Sequence, residues 1–227
     1  STPGLIVLLN MMEKNIYYHG SSVIFDSFNL DSLAESSGCK FGAGVYLTEA
    51  FDTAAHYSEP RHGTADHHYV YTVEVPDKTE ENCLPYYGVP IPSIIISRVE
   101  ERLGETLPDF IKGSGRDADG KGLSLGKFLR KYIAHRLSGT AKEKLATEKQ
   151  VDKKTNLAAE IKASEFLFSL GVLFIEWPQG AWAKYPKCKK NIAVLDPSKV
   201  KLVKIEEVDL DKDAEYIDGS RRPFIAE

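Results

Sequence analysis

The sequence is poor in cysteine, and its three cysteines, Cys39, Cys83 and Cys188, lie far apart along the 227 residues. A small disulfide scaffold needs a dense, even set of cysteines, and a structural zinc site needs closely paired cysteines or histidines. The sequence has neither pattern. We therefore expect a protein of the reducing cytoplasm that has no disulfide framework and no metal site.

Long hydrophobic runs are also missing. The most apolar stretches, Gly4 to Leu9 and Ile91 to Ile96, are much shorter than the ~20 residues that cross a bilayer. No basic residue precedes Gly4 to Leu9, and no small-residue cleavage pattern follows it, so it predicts a buried strand or the start of a core helix rather than a signal peptide. We expect no membrane partner.

The composition is that of a folded protein. Hydrophobic residues make up 42% and charged residues 27% of the chain, which excludes disorder and coiled coil. The length predicts one domain over residues 1–210 followed by a tail over 211–227. With 29 basic and 33 acidic residues the net charge is −4, so no overall positive field attracts nucleic acid, and DNA is not an expected partner.

The charge is unevenly distributed along the chain. Residues 127–154 contain nine basic and three acidic residues, whereas residues 206–218 contain seven acidic residues and one basic residue. The first segment lies in a predicted helical, basic insertion at about residues 105–155, which has the charge to hold a polyanion such as RNA. The second segment predicts a solvated acidic end.

Hydrophobic periodicity is mainly that of strands over the first hundred residues and that of helices in the middle of the chain, which predicts an α+β fold. The predicted strands are Ile16 to His19, Gly44 to Leu47, His68 to Val75, Val172 to Trp177 and Asn191 to Leu195. The predicted helices are Thr48 to Ser58 with Thr48 as N-cap, Lys127 to Lys154, and Leu157 to Leu170 with Gly171 as C-cap.

Two motifs occur in order near the start of the chain: YYHGSS at Tyr17 to Ser22 and FGAGVYLTEAFDTAAHYS at Phe41 to Ser58. In the second motif, Tyr46 and Tyr57 are eleven residues apart. Together the motifs resemble the ADP-ribosyltransferases of the diphtheria-toxin-like and poly(ADP-ribose)-polymerase-like branch. In that family a strand-borne His-Gly-Ser precedes a glycine-rich entry to a second strand that carries tyrosine, and a second tyrosine lies on the following helix.

The resemblance implies a fold of two packed antiparallel sheets that form a cleft for NAD, the co-substrate. It implies that His19 hydrogen-bonds the adenosine-side ribose and that Ser21 lies close by. The backbone N–H and C=O of Gly20 would read the nicotinamide carboxamide, with no side chain in the way.

Three further NAD-binding positions follow from the second motif. The resemblance implies that the rings of Tyr46 and Tyr57 sandwich the nicotinamide. The serine that holds the carboxamide in the family corresponds to Ala54 here. The resemblance therefore places position 54 in the site, but alanine cannot make the hydrogen bond of the serine.

A third motif, Asn191 to Ser198 (NIAVLDPS), is similar to the family strand that usually begins with the catalytic glutamate. Here Asn191 stands at that position, as in similar domains of phage polyproteins. Asparagine keeps a hydrogen bond to the nicotinamide ribose but lacks the charge, so we predict transfer of single ADP-ribose units. Glu176, Glu160 and Glu165 stay open as alternative carboxylates, with Glu176 ahead of the others.

The catalytic set implied by the resemblance is therefore His19, Tyr46 and Asn191. The implied activity is transfer of ADP-ribose from NAD to a protein or RNA acceptor. Small proteins of this family are often bacterial toxins or conflict effectors, so a neutralising antitoxin is an expected partner. NAD glycohydrolase activity and an inactive NAD-binding or ADP-ribose-binding module remain alternatives.

Two other classes of site were compared with this interpretation. The segment from Gly115 to Gly122 reads GxxxxGK, the pattern of a phosphate-binding loop in nucleotide triphosphatases, but Gly122 replaces the Mg²⁺-binding serine or threonine. A group of four histidines suggests a metal site, but it has no companion cysteine or carboxylate pattern: His56, His62, His67 and His68.

Overall fold

The structure, a computed structural model, describes residues 15–30, 39–139, 142–178 and 190–225. The strands are β1 (Ile16–Ser21), β2 (Val45–Thr48), β3 (His68–Glu74), β4 (Cys83–Pro85), β5 (Phe174–Pro178), β6 (Lys190–Val194), β7 (Lys201–Val208) and β8 (Arg222–Pro223). The α-helices are α1 (Phe51–Tyr57), α2 (Ser93–Leu103), α3 (Leu125–Leu137), α4 (Glu148–Val151) and α5 (Leu157–Ser169). The predicted α+β class is confirmed.

The chain divides into two compact units. The first unit comprises residues 1–27, 46–77 and 198–227, and the second comprises residues 28–45 and 78–197. The predicted single domain over residues 1–210 stays a prediction, because a domain can contain more than one compact unit.

The first unit is an antiparallel sheet in the order β2, β1, β3, β7 and β8. Because side chains alternate along a strand, Tyr18 and Gly20 of β1 share one face, and His19 lies on the other. The first face packs under α1, where Ala54 and Ala55 form a small core with Val70 and Val208. The other face carries His19.

The second unit combines a three-stranded sheet with helices. Its strand β4 pairs in parallel with β5, which pairs antiparallel with β6. This parallel pair differs from the predicted antiparallel arrangement, and two sheets packed around a cleft stay a prediction. Helices α3 and α5 pack against each other through buried aliphatic residues that include Leu129, Ile133, Ala163 and Leu167.

Two details of the predicted elements are wrong. The predicted helix Lys127 to Lys154 ends at Leu137, because Gly139 adopts a positive φ of 81°. The next α-helix is the short α4, whose N-cap Thr147 forms a capping box with Gln150. Thr48 is not the N-cap of α1, since Thr48 ends β2 and its hydroxyl accepts the N–H of Ala50, the actual N-cap residue.

The C-terminal end of the third predicted helix, Leu157 to Leu170, differs by one position. Leu170 is the C-cap of α5, and Gly171 follows it with a φ of 84°. The first hundred residues were expected to be mainly strands, but they also contain most of α2, which begins after Pro92 and ends before Gly104. The predicted element at Gly4 to Leu9 lies outside the described residues, as does Cys188.

The acidic segment after β6 is folded into the first unit rather than fully solvated. Glu206 and Glu207 lie in β7, and their carboxylates pair with Arg221 and Arg222 at 2.8 and 3.1 Å. The chain returns to β7 as β8, so part of the predicted 211–227 tail is a strand. In the part of the chain that the structure describes, no helix has the length and apolarity needed to cross a membrane.

Candidate functional site

The histidine of the first motif connects two strands of the first unit. Nδ1 of the half-buried His19 lies 2.8 Å from the carbonyl oxygen of Tyr46 in β2. Because a carbonyl oxygen only accepts hydrogen bonds, Nδ1 carries the proton and donates it. Burial lowers the pKa of the His19 imidazole, although the bond to Tyr46 acts in the opposite direction. At neutral pH the ring is neutral, so Nε2 is an acceptor nitrogen.

The glycine after this histidine is required by packing. A Cβ atom on Gly20 would lie 1.8 Å from the carbonyl oxygen of Ala54 and 2.8 Å from the amide nitrogen of Ser58. The last turn of α1 therefore crosses directly over the Gly20 backbone. This close approach accounts for glycine at position 20 whether or not a nicotinamide binds there.

Ala54 does not present its side chain to a ligand. Its side chain is 1% exposed and lies in the core beneath α1, while its carbonyl oxygen faces Gly20. The side chain of Ala54 is thus used in packing between the helix and the sheet, and the contribution of position 54 to NAD binding stays a prediction.

The two motif tyrosines lie on the predicted kinds of element. Tyr46 is half-buried in β2, and Tyr57 is the last residue of α1. The ring of Tyr57 is 67% exposed and meets the ring of His56 edge to face, with centroids 5.5 Å apart. Exposure leaves this ring accessible for stacking on a planar ligand.

Ser21 belongs to the turn that follows β1. Its hydroxyl donates to the carbonyl of Val23 at 2.8 Å and accepts the N–H of the same residue at 3.1 Å. These two hydrogen bonds stabilise a tight local turn. Ser21 thus shapes the loop after the histidine, in addition to any contact with a ligand.

The sequence analysis missed an aromatic pair beside His19. Tyr71 lies directly across from His19 in β3, and its hydroxyl accepts the N–H of Phe25 at 2.9 Å. The rings of Tyr71 and Phe25 stack with centroids 4.4 Å apart, and burial raises the pKa of the Tyr71 phenol. The alternation of β3 places Tyr71 on one face of a strand, but the pairing of Tyr71 with His19 depends on the strand register, which the sequence does not give.

Asn191 lies in the second unit, within β6. It is 9% exposed and pairs directly across from Trp177 of β5, whose ring stacks on the ring of Phe41 with centroids 3.9 Å apart. Its Oδ1 atom is buried and has no hydrogen-bond partner among the residues that the structure describes. A buried oxygen in this state is a candidate acceptor for a ligand hydroxyl or N–H group.

Of the three alternative carboxylates, none lies in the position of Asn191. Glu176 precedes Trp177, so it faces the opposite side of the strand pair, where it forms ion pairs with Lys78 and with Lys190. Burial opposes ionisation of Glu176, but the two lysines outweigh it and hold the pKa of this carboxyl below its usual value. Glu160 forms a buried ion pair with Arg130, and Glu165 is exposed on α5.

The loop with the GxxxxGK pattern folds as a turn around its own aspartate. The Asp117 carboxylate accepts the N–H groups of Asp119 and Lys121 at 3.0 and 2.9 Å. In a nucleotide triphosphatase these backbone amides would have to donate to phosphate, but here they donate to the Asp117 carboxylate. Helix α3 begins only at Leu125, so the loop also lacks the direct entry to a helix that this class requires.

Three of the four grouped histidines contact separate partners. His67 contacts Glu207 at 2.8 Å, His68 contacts Glu59 at 3.3 Å, and Nδ1 of His56 donates to the carbonyl of Ala214. Within the described ranges, no three histidine, cysteine, aspartate or glutamate side chains are grouped so that they could hold a metal ion.

Comparison of the chain with protein-family models, curated proteins and solved structures found no match. The resemblance to ADP-ribosyltransferases therefore depends on the motif residues and on the local geometry described above.

Proposed function

We propose that the protein transfers single ADP-ribose units from NAD to a protein or RNA acceptor and releases nicotinamide. One observation carries the proposal: the first unit brings His19, Gly20 and the backbone of Tyr46 together with the helix turn that ends at Tyr57. These residues come from two strands and a helix, and they are the ones that the two motifs share with the transferases.

In the proposed reaction, residues of the first unit bind and orient NAD. The neutral His19 ring donates through Nδ1 to Tyr46, which leaves Nε2 with the polarity to accept a hydrogen bond from a ribose hydroxyl. The exposed ring of Tyr57 offers a face for the nicotinamide, and the Tyr46 ring is the proposed second face. Tyr71 and Phe25 stabilise the loop after His19 and so act as positioning residues.

The bond that breaks is the one between the nicotinamide nitrogen and the ribose carbon. Its electron pair leaves with nicotinamide, and the ribose passes through a state with oxocarbenium character, as in glycoside cleavage. An acceptor nucleophile then bonds to that carbon and gives its proton to solvent or to a base of its own.

Asn191 is the proposed hydrogen-bonding partner of the nicotinamide ribose. Support comes from its buried Oδ1, which has no partner within the described part of the chain. An amide can orient a hydroxyl but cannot offset positive charge as a carboxylate does. We therefore expect slow transfer of one unit and no chain growth.

An inactive NAD-binding or ADP-ribose-binding module is the second candidate. It is favoured by the neutral side chain at position 191 and by Glu176, whose carboxylate is occupied by two lysines. We also propose that an active enzyme of this kind serves as a toxin or defence effector, which a neutralising protein would accompany.

The test uses NAD labelled on its adenylate phosphate, incubated with the full chain and a cell lysate. We expect a labelled macromolecule, and loss of the label after nuclease or after protease treatment identifies an RNA or a protein acceptor. His19→Ala should lower labelling about a hundredfold, because the ribose loses its fixed position. His62→Ala, a change at an exposed loop histidine, should not.

Other outcomes distinguish the alternatives. Free ADP-ribose as the sole product would replace the transferase with an NAD glycohydrolase. Saturable binding of NAD by calorimetry without nicotinamide release would favour the binding module. Equal labelling by wild type and His19→Ala would contradict the proposed site.

A further inference from the structure

A second concave site lies wholly within the second unit. It is a cavity of about 570 Å³ beside α3 and the segment that leads into α5. This volume falls within the range of about 300–1,000 Å³ that is typical of small-molecule sites. Five basic side chains line the cavity: Lys40, Lys127, Arg130, Lys131 and Lys154.

The acidic groups in the wall do not balance this charge. Among the residues that the structure describes, the wall contains two acidic ones, Asp152 and Glu160. Asp152 pairs with Lys127 and with Lys131, each at 3.0 Å, and Glu160 pairs with Arg130. Burial acts to raise the pKa of Asp152, but the two lysines outweigh it and keep this carboxyl ionised. The five cations therefore exceed the two anions even when every ion pair is formed.

Arg130 provides an independent indication that this wall can bind an anion. The residue is 1% exposed, and its Nε atom is buried without a hydrogen-bond partner among the described residues. A second guanidinium nitrogen donates to the carbonyl of Lys40 at 3.3 Å. Buried guanidinium N–H groups normally have acceptors, and an unpaired one is costly. Because Arg130 lines the cavity, an anion bound there would lie beside this guanidinium group.

We propose that this cavity binds the phosphate group of a phosphorylated ligand. An RNA backbone supplies one negative charge with each phosphodiester, and a phosphate monoester carries a charge of about −1.5 to −2 near neutral pH, with several acceptor oxygens. That charge matches the surplus of cations better than the single charge of a carboxylate. Guanidinium and ammonium groups are also the side chains that proteins use most for phosphate.

The inference is independent of NAD chemistry, because every lining residue belongs to the second unit and none belongs to the proposed NAD-binding set. Two sources can supply the phosphate: a free nucleotide or the backbone of a single-stranded RNA. The shared chemistry is the phosphate, and the experiment separates the sources.

The test is calorimetric titration of the full chain at low salt with four probes: inorganic phosphate, adenosine monophosphate, adenosine, and a short RNA without terminal phosphates. We expect phosphate and at least one of the two larger phosphate-bearing probes to bind, and adenosine not to bind. Lys154→Gln should weaken binding about fivefold, since it removes one cation from the wall.

The matched control is Lys149→Gln. Lys149 is exposed on α4, close in sequence to Lys154, and does not line the cavity. Binding by adenosine monophosphate but not RNA would assign a free nucleotide, and the reverse would assign RNA. Three results would overturn the proposal: no binding of any phosphate-bearing probe, equal binding of adenosine and its monophosphate, or equal weakening by Lys149→Gln and Lys154→Gln.

Discussion

Replacing Gly20 by alanine would place a methyl group inside the last turn of α1. The new Cβ would lie 1.8 Å from the Ala54 carbonyl oxygen, whereas real Cβ contacts essentially never fall below 3.0 Å. Both obstructing groups, at Ala54 and Ser58, are backbone, so no side-chain rotation relieves the overlap and α1 has to move by about 1.2 Å. Overpacking of this kind costs about 1–3 kcal/mol, and we expect the upper end, about 3 kcal/mol.

Urea unfolding followed by circular dichroism measures this loss of stability. The matched control is Gly113→Ala, because its Cβ would meet only the Phe110 carbonyl oxygen at 3.5 Å and its φ is −74°. The control should change the free energy of unfolding by less than about 0.5 kcal/mol. Displacement of Tyr57 with α1 should also lower NAD turnover about a hundredfold. A Gly20→Ala variant as stable as the control would refute the packing explanation.

Three further predictions concern buried polar groups. Glu160→Gln leaves the buried Arg130 cation unpaired and should lower the free energy of unfolding, measured with urea, by about 3–5 kcal/mol. The double variant Arg130→Met, Glu160→Leu should recover most of the lost stability. No recovery would contradict the assignment of a buried ion pair. Asn191→Leu should change the free energy of unfolding by less than about 1 kcal/mol, because the lost Oδ1 atom has no described partner. The same variant should abolish labelling by NAD. Retained labelling would exclude a role of Asn191 in the reaction. Burial lowers the pKa of His19 in the folded state, so the unfolded state binds more protons below pH 6.5 and stability should fall as the pH drops. In urea unfolding across this range, His19→Gln should flatten that decline and His62→Gln should not.

Much of the fold was predictable because its strands show strong local patterns. The alternating residues of β3 and the glycine-led entry to β2 predicted both strands to within one or two residues. The break in the helix predicted at Lys127 to Lys154 was harder to predict, because charged residues continue past Leu137 and make the helix-ending signal of Gly139 difficult to recognise. Helix α2 was missed since its isoleucines favour strand, although Pro92 and Gly104 mark its ends.

The candidate site was only partly predictable, because a motif does not indicate which parts of the fold pack against its residues. The sequence assigned Gly20 and Ala54 to the cofactor, whereas the close approach of α1 to β1 accounts for both. The phenol of Tyr71 and the buried pair of Arg130 with Glu160 depend on contacts between residues distant in sequence. Such contacts leave no local pattern, so only the structure shows them.

Every proposed role depends on cleavage of NAD, and the decisive measurement is release of nicotinamide from NAD by the purified protein with a cell lysate as the source of acceptor. The account predicts time-dependent nicotinamide release, measured by chromatography, that Tyr46→Ala lowers at least about a hundredfold. Tyr87→Ala, a change at another half-buried tyrosine, should leave release unchanged. Absence of nicotinamide release by the wild-type chain with NAD and a cell lysate, or equal release by Tyr46→Ala, would contradict the account.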